Sequence, residues 1–263
     1  MRRWTAALAV AAVLVGIVAC RPTKPPPPPP PSGGANGFDA CTAPSAGAMQ
    51  AWLQSPYRFV GVYIGGGNAA CSQPNLNAGW VDTVHSWGYG LIPTYVGLQA
   101  WCTSAGGVGV MSRDLATAQS QGYTSAVDAV DNGAVPRGLG AGTPIYFDME
   151  AYNSGAAGCT DAVTSFISGW IAGLHDRGYA AGMYSSSASG VRDLANVQSN
   201  PADQLDAIWF AHWNGDPTLS DSQFFSDSLW PNARIHQFQG GHDESWGGVT
   251  INIDNDSVGG PTG

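Results

Sequence analysis

The sequence predicts a closed (β/α)8, TIM-type barrel, and three observations carry that expectation. Eight short apolar, β-rich segments recur along the chain, most of them separated by helical segments. About 225 residues follow a proline-rich stretch near the N-terminus, enough for one such barrel. An open doubly wound sheet is the alternative, but it would carry a glycine-rich nucleotide loop after its first strand, and Gly37-Phe38-Asp39-Ala40-Cys41-Thr42 is not one.

The elements follow in order. Residues 37–41 form a short first strand and 45–54 a helix. Residues 57–64 are apolar and β-rich, ending at Gly65-Gly66-Gly67, and 75–87 repeat apolar residues at helical spacing. The third strand is 90–98, followed by a long helix over 113–131. The fourth strand, 143–148, precedes an amphipathic helix over 160–177 that Gly178 stops. Residues 179–184 are the fifth strand, and 189–194 are weakly helical. The sixth strand is 207–213, and the segment after it is poorly helical. Strands seven and eight are 234–238 and 249–254. The late helices of this barrel can therefore be missing or degenerate, and a wholly parallel sheet is expected.

In such a barrel the active face lies at the C-terminal strand ends. Asp39 ends strand one. Asp148 and Glu150 end strand four, and, being two residues apart on a strand, they point the same way. Strand six ends at His212-Trp213, strand seven at Gln237 and Gln239, and strand eight at Asp254 and Asp256. Tyr63, Tyr95, Gln99, Trp101, Tyr152 and Tyr184 lie on or just after other strand ends. Several carboxyls among aromatic and amide side chains suit a sugar: aromatic faces stack on pyranose C–H groups, amides bond hydroxyls, and paired carboxyls are the equipment of glycoside hydrolysis. An Asp at a strand end can equally cap the next helix. It is the convergence of four acids on one face that favours chemistry. His85 and His175 fall within helices and read as structural.

The ends and the composition bound the setting. Arg2-Arg3, an apolar run over 4–18 and Ile17-Val18-Ala19-Cys20 read as a lipoprotein-type signal over residues 1–20, with Cys20 as the lipidated residue. Cleavage near Ala19 and free secretion is the alternative. Residues 21–36 form a linker in which Pro25 to Pro31 favour a stiff polyproline II spacer. The barrel domain is placed at 37–258, with a tail at 259–263. Net charge is −9 with a single lysine, Lys24. No basic patch is visible, which argues against a nucleic-acid partner. Leaving Cys20 aside, Cys41, Cys71, Cys102 and Cys159 are an even number in an exported chain and read as two disulfides of undefined pairing. No CxxC or HxxxH spacing supports a metal site, and no cofactor is expected.

With these residues in view, the chain resembles the DUF1906, or Rv2525c-like glycoside-hydrolase-like, family, related to the family 25 lysozymes. The resemblance rests on Gly37-Phe38-Asp39, Phe147-Asp148-Met149-Glu150, Gly182-Met183-Tyr184, Ile208-Trp209-Phe210-Ala211-His212-Trp213, His236-Gln237-Phe238 and Ile253-Asp254, in that order. It covers residues 37 to 258. Asp256 and His236 depart from the lysozyme pattern, which has Asn and Trp there. The resemblance implies a hydrolase of a cell-wall glycan, with peptidoglycan first among candidates. Glu150 would be the general acid and Asp148 the charge stabiliser, with Asp39 and Asp254 in the same cleft. Substrate contacts are expected from Tyr63, Tyr95, Gln99, Tyr184, Trp213 and Gln237. A non-catalytic glycan-binding module on the same barrel is the rival. The expected location is extracytoplasmic, either anchored to the membrane through Cys20 or secreted to the wall.

Overall fold

The computed structural model describes residues 34–197 and 204–263. The stretch expected to be a signal, Cys20 and nearly all of the expected linker at 21–36 lie outside the described residues. Eight strands close a barrel in chain order: β1 (Ala35–Asp39), β2 (Phe59–Gly65), β3 (Gly90–Tyr95), β4 (Pro144–Met149), β5 (Ala180–Ser186), β6 (Ala207–Ala211), β7 (Arg234–Trp246) and β8 (Val249–Val258).

The first crossovers are helical. They contain α1 (Ala46–Ala51), α2 (Ala78–Ser86), α3 (Leu115–Asp128), α4 (Cys159–Asp176) and the short α5 (Arg192–Val197). Ser45, Asn77 and Asp114 cap α1, α2 and α3, each side-chain oxygen accepting a backbone N–H of the first turn. The β6–β7 connection carries no helix, matching its poor helical pattern.

One expectation fails. β1 to β7 are parallel neighbours, but β8 runs antiparallel to both β7 and β1. The cause is the link between β7 and β8. Only Gly247 and Gly248 separate them, with φ of 58° and 80°. Two positive-φ residues make a tight hairpin turn, whereas a parallel return needs a crossover of about a dozen residues or more. β7 also continues past residue 238 to Trp246, because its far half alternates half-buried and exposed side chains as a hairpin arm.

Two layers of apolar packing hold the fold. Ile92, Tyr146, Ala207, Trp209, Ile235 and Val258 fill the barrel interior. Phe38, Trp52, Phe147, Phe166 and Trp170, all fully buried, pack between strands and helices. The chain end also contributes. Gly263 exchanges both backbone hydrogen bonds with Leu91, and Tyr146 donates to the Pro261 carbonyl at 2.9 Å. Residues 259–263, expected to be a tail outside the barrel, thus pack against its lower end, and β1 starts at Ala35, inside the range assigned to the linker.

Helices α3 and α4 touch through glycines. A Cβ on Gly169 would lie 1.9 Å from the Gln119 carbonyl oxygen, and one on Gly122 would lie 1.8 Å from that of Phe166. Backbone cannot yield as a side-chain tip can. Gly169→Val is therefore expected to destabilise the protein by at least about 1–3 kcal/mol, read as a lower urea midpoint at unchanged slope.

Candidate active site

The solid lower barrel leaves polar side chains at the upper mouth. There Asp39, Tyr63, Asp148, Glu150 and Asp254 line one cleft of about 280 Å³. β1 and β8 bring the first and last acids together, because Asp39 is the direct cross-strand partner of Asp254. The antiparallel course of β8 explains this. Its upper end is its N-terminal half, so Asp254 reaches the mouth while Asp256, two residues on, lies deeper on the same face.

Asp39 is 2% exposed. Its carboxylate accepts from Gln237 Nε2 at 2.8 Å and from the Tyr63 hydroxyl at 3.2 Å. Gln237 is a hub. Its Oε1 accepts from the Tyr184 hydroxyl and from Trp213 Nε1, both at 2.9 Å, and its Nε2 also reaches Asp254 Oδ2 at 3.4 Å. Beneath lies Asp256, 1% exposed, which accepts from Trp209 Nε1 at 2.9 Å and hydrogen-bonds the Asp39 carboxyl. Across the cleft, Asp148 is buried and its carboxyl hydrogen-bonds that of Glu150, which stands exposed at the mouth. Asp148 Oδ1 and Asp256 Oδ2 are buried and meet no hydrogen-bond donor.

Two acid pairs in contact cannot both ionise fully. Burial pushes the Asp39 carboxyl up to about 7, reinforced by the charge of Asp254 and opposed by hydrogen bonds from Gln237, Tyr63 and Asp256. Burial also raises Asp148 well above the carboxylate range, with Glu150 and then Asp39 adding repulsion. Asp256 is raised in the same way, by burial and then Asp39. Asp254 is raised by burial and Glu150 while His242 opposes. Glu150 is raised too, by burial, and the hydrogen bond from Asp148 acts the other way.

Of the expected substrate contacts, Tyr95 and Gln237 do not line the cleft, and Gln99 lines it with its amide already engaged. Tyr95 points away from the cleft into the helix layer, stacked on Trp170 and donating to Asp128 Oδ2 at 2.6 Å. Gln99 is 2% exposed and its amide is spent on backbone: Nε2 donates to the Asp148 carbonyl at 2.7 Å and Oε1 accepts the Glu150 N–H at 2.8 Å. It fixes the strand end that carries the acid pair. Gln237, 2% exposed, has both amide atoms committed to the partners above. Tyr63 and Tyr184 remain half-buried, and Trp213 stands 65% exposed with its indole flat against Gly240, where a Cβ would come within 2.8 Å. His236, one of the two departures from the lysozyme pattern, is buried, stacked on Phe210 and held by the Thr218 and His212 carbonyls. Tyr152 is buried against Asp193.

The cleft walls went unread in the sequence. They come from the loops after β2 and β3, through Asn68, Ala69, Ala70, Ala105 and Val108. Asn68 ties the loops together, bonding the Gly97 carbonyl and both the N–H and the carbonyl of Gly109. The cysteines pair as Cys41–Cys71, joining the end of β1 to the first wall, and Cys102–Cys159, joining the second to the start of α4.

The family model described as Rv2525c-like, glycoside hydrolase-like domain matches residues 50–258. No curated protein matches the sequence. Among solved structures, the chain is similar to an uncharacterized B. stearothermophilus protein (16% identity, 86% of this chain and 96% of that one, TM-score 0.54). It is also similar to a family 25 glycosyl hydrolase from Bacillus anthracis (14%, 87% and 90%, 0.51). A third is the catalytic domain of endolysin ply40 from bacteriophage P40 of Listeria monocytogenes (14%, 86% and 93%, 0.50). At these identities the likeness establishes a shared barrel fold.

Proposed function

We propose, from the premise that this chain belongs to the Rv2525c-like, glycoside hydrolase-like family, that it is an exported hydrolase of a cell-wall glycan, with peptidoglycan as substrate. The observation that carries this reading is the hydrogen-bonded Asp148–Glu150 pair, one carboxyl buried and one at the mouth of a cleft that Asp39 and Asp254 also line. The names of two similar structures, a glycosyl hydrolase and an endolysin catalytic domain, support the substrate class.

Chemically, the acid pair holds a proton between its members, and Gln99 fixes the strand end that presents them. Glu150 alone of the pair is exposed to a bound sugar. Substrate covers it, strips its remaining water and raises its affinity for the proton. Glu150 then protonates the glycosidic oxygen as the bond breaks. Positive charge grows at the anomeric carbon, the Asp148 carboxylate left beneath stabilises it, and water adds at that carbon, its proton returning to the Glu150 carboxylate. Asp39, held by Tyr63, Gln237 and Asp256, completes the polar floor.

The Trp213 indole, exposed and anchored through Gln237, is the sugar platform in this reading. Trp213→Ala is expected to raise KM about tenfold with a smaller change in kcat, since stacking serves bound substrate and transition state alike. Export fits the two disulfides, which persist in oxidising compartments. In this reading residues 1–20 are the signal, Cys20 carries lipid, and the proline run spaces the barrel at 37–258 from the membrane. Globomycin treatment or mass spectrometry of the mature N-terminus checks the lipid. The test of function is digestion of purified peptidoglycan, scoring soluble fragments and co-sedimentation together. Fragments support hydrolysis. Binding without fragments from any wall glycan means a retired, glycan-holding barrel.

A further inference from the structure

We propose that the guanidinium of Arg113, held on the face of Trp101 beside the cleft, is a binding site for a carboxylate borne by the glycan strand, so that strands carrying free carboxylates are preferred over neutral ones. The proposal rests on the glycan-cleft reading above and adds a ligand contact outside the acid set.

The first observation is an arginine with every donor free. The guanidinium carbon of Arg113 lies 4.0 Å from the centre of the Trp101 ring, and the side chain makes no hydrogen bond or ion pair among the described residues. The other described arginines are engaged: Arg58 and Arg137 donate to backbone carbonyls, and Arg177, Arg192 and Arg234 pair with aspartates. Asp114, the adjacent acid, is not a partner of Arg113. Its carboxylate accepts the Thr117 N–H at 2.9 Å and the Thr117 hydroxyl at 2.7 Å as the cap of α3. A guanidinium presents five N–H donors in a rigid planar fork that matches a carboxylate, and stacking on an aromatic face fixes that plane while leaving its edge open. Arg113 is exposed, so the open edge faces solvent.

The second observation is position. The loop after β3 that carries both residues is the second cleft wall, through Gln99, Ala105 and Val108. It folds back on itself: Gln99 donates to the Gly109 carbonyl at 3.0 Å, and Met111 donates to that of Gln99 at 2.9 Å. Trp101 stands two residues past Gln99 and Arg113 two past Met111, so the stacked pair continues this ladder. The same stretch is tied to the chain just after Glu150. Asn153 donates to the Cys102 carbonyl at 3.3 Å, and the Thr103 hydroxyl to that of Ala151 at 3.5 Å. The platform therefore flanks the Glu150 side of the cleft. Arg113 is not among the charges that act on Asp148 or Glu150, which places it off the reacting centre, against a neighbouring part of the strand. Charge gives the reason for a cation there. The chain carries −9, and acids line the cleft while no Lys, Arg or His does. An anionic strand is repelled by that field, and a fixed cation at the rim offsets the repulsion locally, within about 8 Å at physiological salt. Carboxylate is the anion that a peptidoglycan strand with its peptides supplies.

The test changes protein and ligand in one cycle. Full-chain protein carrying Glu150→Gln, which binds without turnover, is titrated by calorimetry with soluble peptide-bearing peptidoglycan strands. It is then titrated with the same strands after carbodiimide and ammonia have converted their carboxylates to amides. Amidation should weaken binding about three- to tenfold, the scale of one charge-assisted pair at an exposed site. In protein that also carries Arg113→Gln, intact strands should bind as weakly as amidated ones, and amidation should cost nothing more. Arg113→Lys keeps the charge but not the fork, and should recover only part of the difference. Amidation that costs the same in both proteins, or nothing in either, overturns the proposal, as does binding of no strand. So does a loss that follows removal of wall phosphate and not amidation. Strands stripped of peptide by an amidase separate the sources: a lost preference assigns the carboxylate to the peptide, a kept one to the sugar, and either supports the site. Wild-type cleavage with equal KM on intact and amidated strands removes this inference and leaves the hydrolase. Carboxylate-dependent binding through Arg113 with no cleavage of any strand does the reverse.

Discussion

Glu150→Gln is expected to lower turnover of wall glycan by about 10³-fold while binding and stability stay near wild type. Gln has the same shape and size, but its amide cannot deliver a proton to a leaving oxygen, and general acid catalysis contributes about 10²–10⁴-fold. The side chain is exposed at the mouth, so the substitution removes little packing. Its backbone N–H stays with Gln99 Oε1. The measurement is kcat on soluble glycan strands, with the melting temperature as a fold control. A variant that keeps more than a tenth of wild-type kcat would remove Glu150 from the role of acid.

The second large effect is on stability. Asp39 has its pKa pushed from the ordinary 3.8 up to about 7, with burial as the main cause. A raised carboxyl pKa means that the folded state prefers the protonated form. The stabilisation is complete below about pH 4 and is lost as pH rises through 7. At about 1.4 kcal/mol per unit, Asp39 alone makes the protein about 4 kcal/mol less stable at pH 8 than at pH 4. Asp148 and Asp256 are raised as well and act in the same direction. His236 acts in the opposite direction, because burial lowers its pKa and favours the neutral ring as pH rises. Glu244, whose pKa is lowered, loses its contribution only at the acid end. Urea denaturation at pH 4.5, 6 and 8 should therefore show stability falling with pH, and Asp39→Asn should flatten that fall. A stability that climbs steadily to pH 8 in both proteins contradicts the described burial of these acids.

Much of the site was legible because barrels place strand ends together whatever their distance in sequence. Asp39, Asp148, Glu150 and Asp254 were read as strand-end acids and do line one cleft. Parity explains the misplacement of Tyr95. Its strand neighbours Ile92 and Thr94 are buried, Ile92 inside the barrel, so the next side chain along from Thr94 points out to the helices. Gln99 and Gln237 were recognised as polar residues near the mouth, but whether an amide faces substrate or backbone depends on partners dozens of residues away. The antiparallel β8 had a local signal, the Gly247-Gly248 pair, which the expectation of uniform crossovers passed over. The Ala- and Gly-rich walls carry no motif, and Asn68 and the two disulfides shape them through contacts between loops. Asp256 stood out only as a departure from the resembled pattern. Its burial against Trp209 and Asp39 makes it a support for the floor acid.

The most direct test of hydrolysis is isotopic. Purified peptidoglycan is incubated with the wild-type protein in H₂¹⁸O, and the soluble fragments are weighed. Hydrolysis expects new reducing ends that carry ¹⁸O at the anomeric carbon and are missing from the Glu150→Gln digest. Intact glycan strands, or fragments without the label, would contradict it.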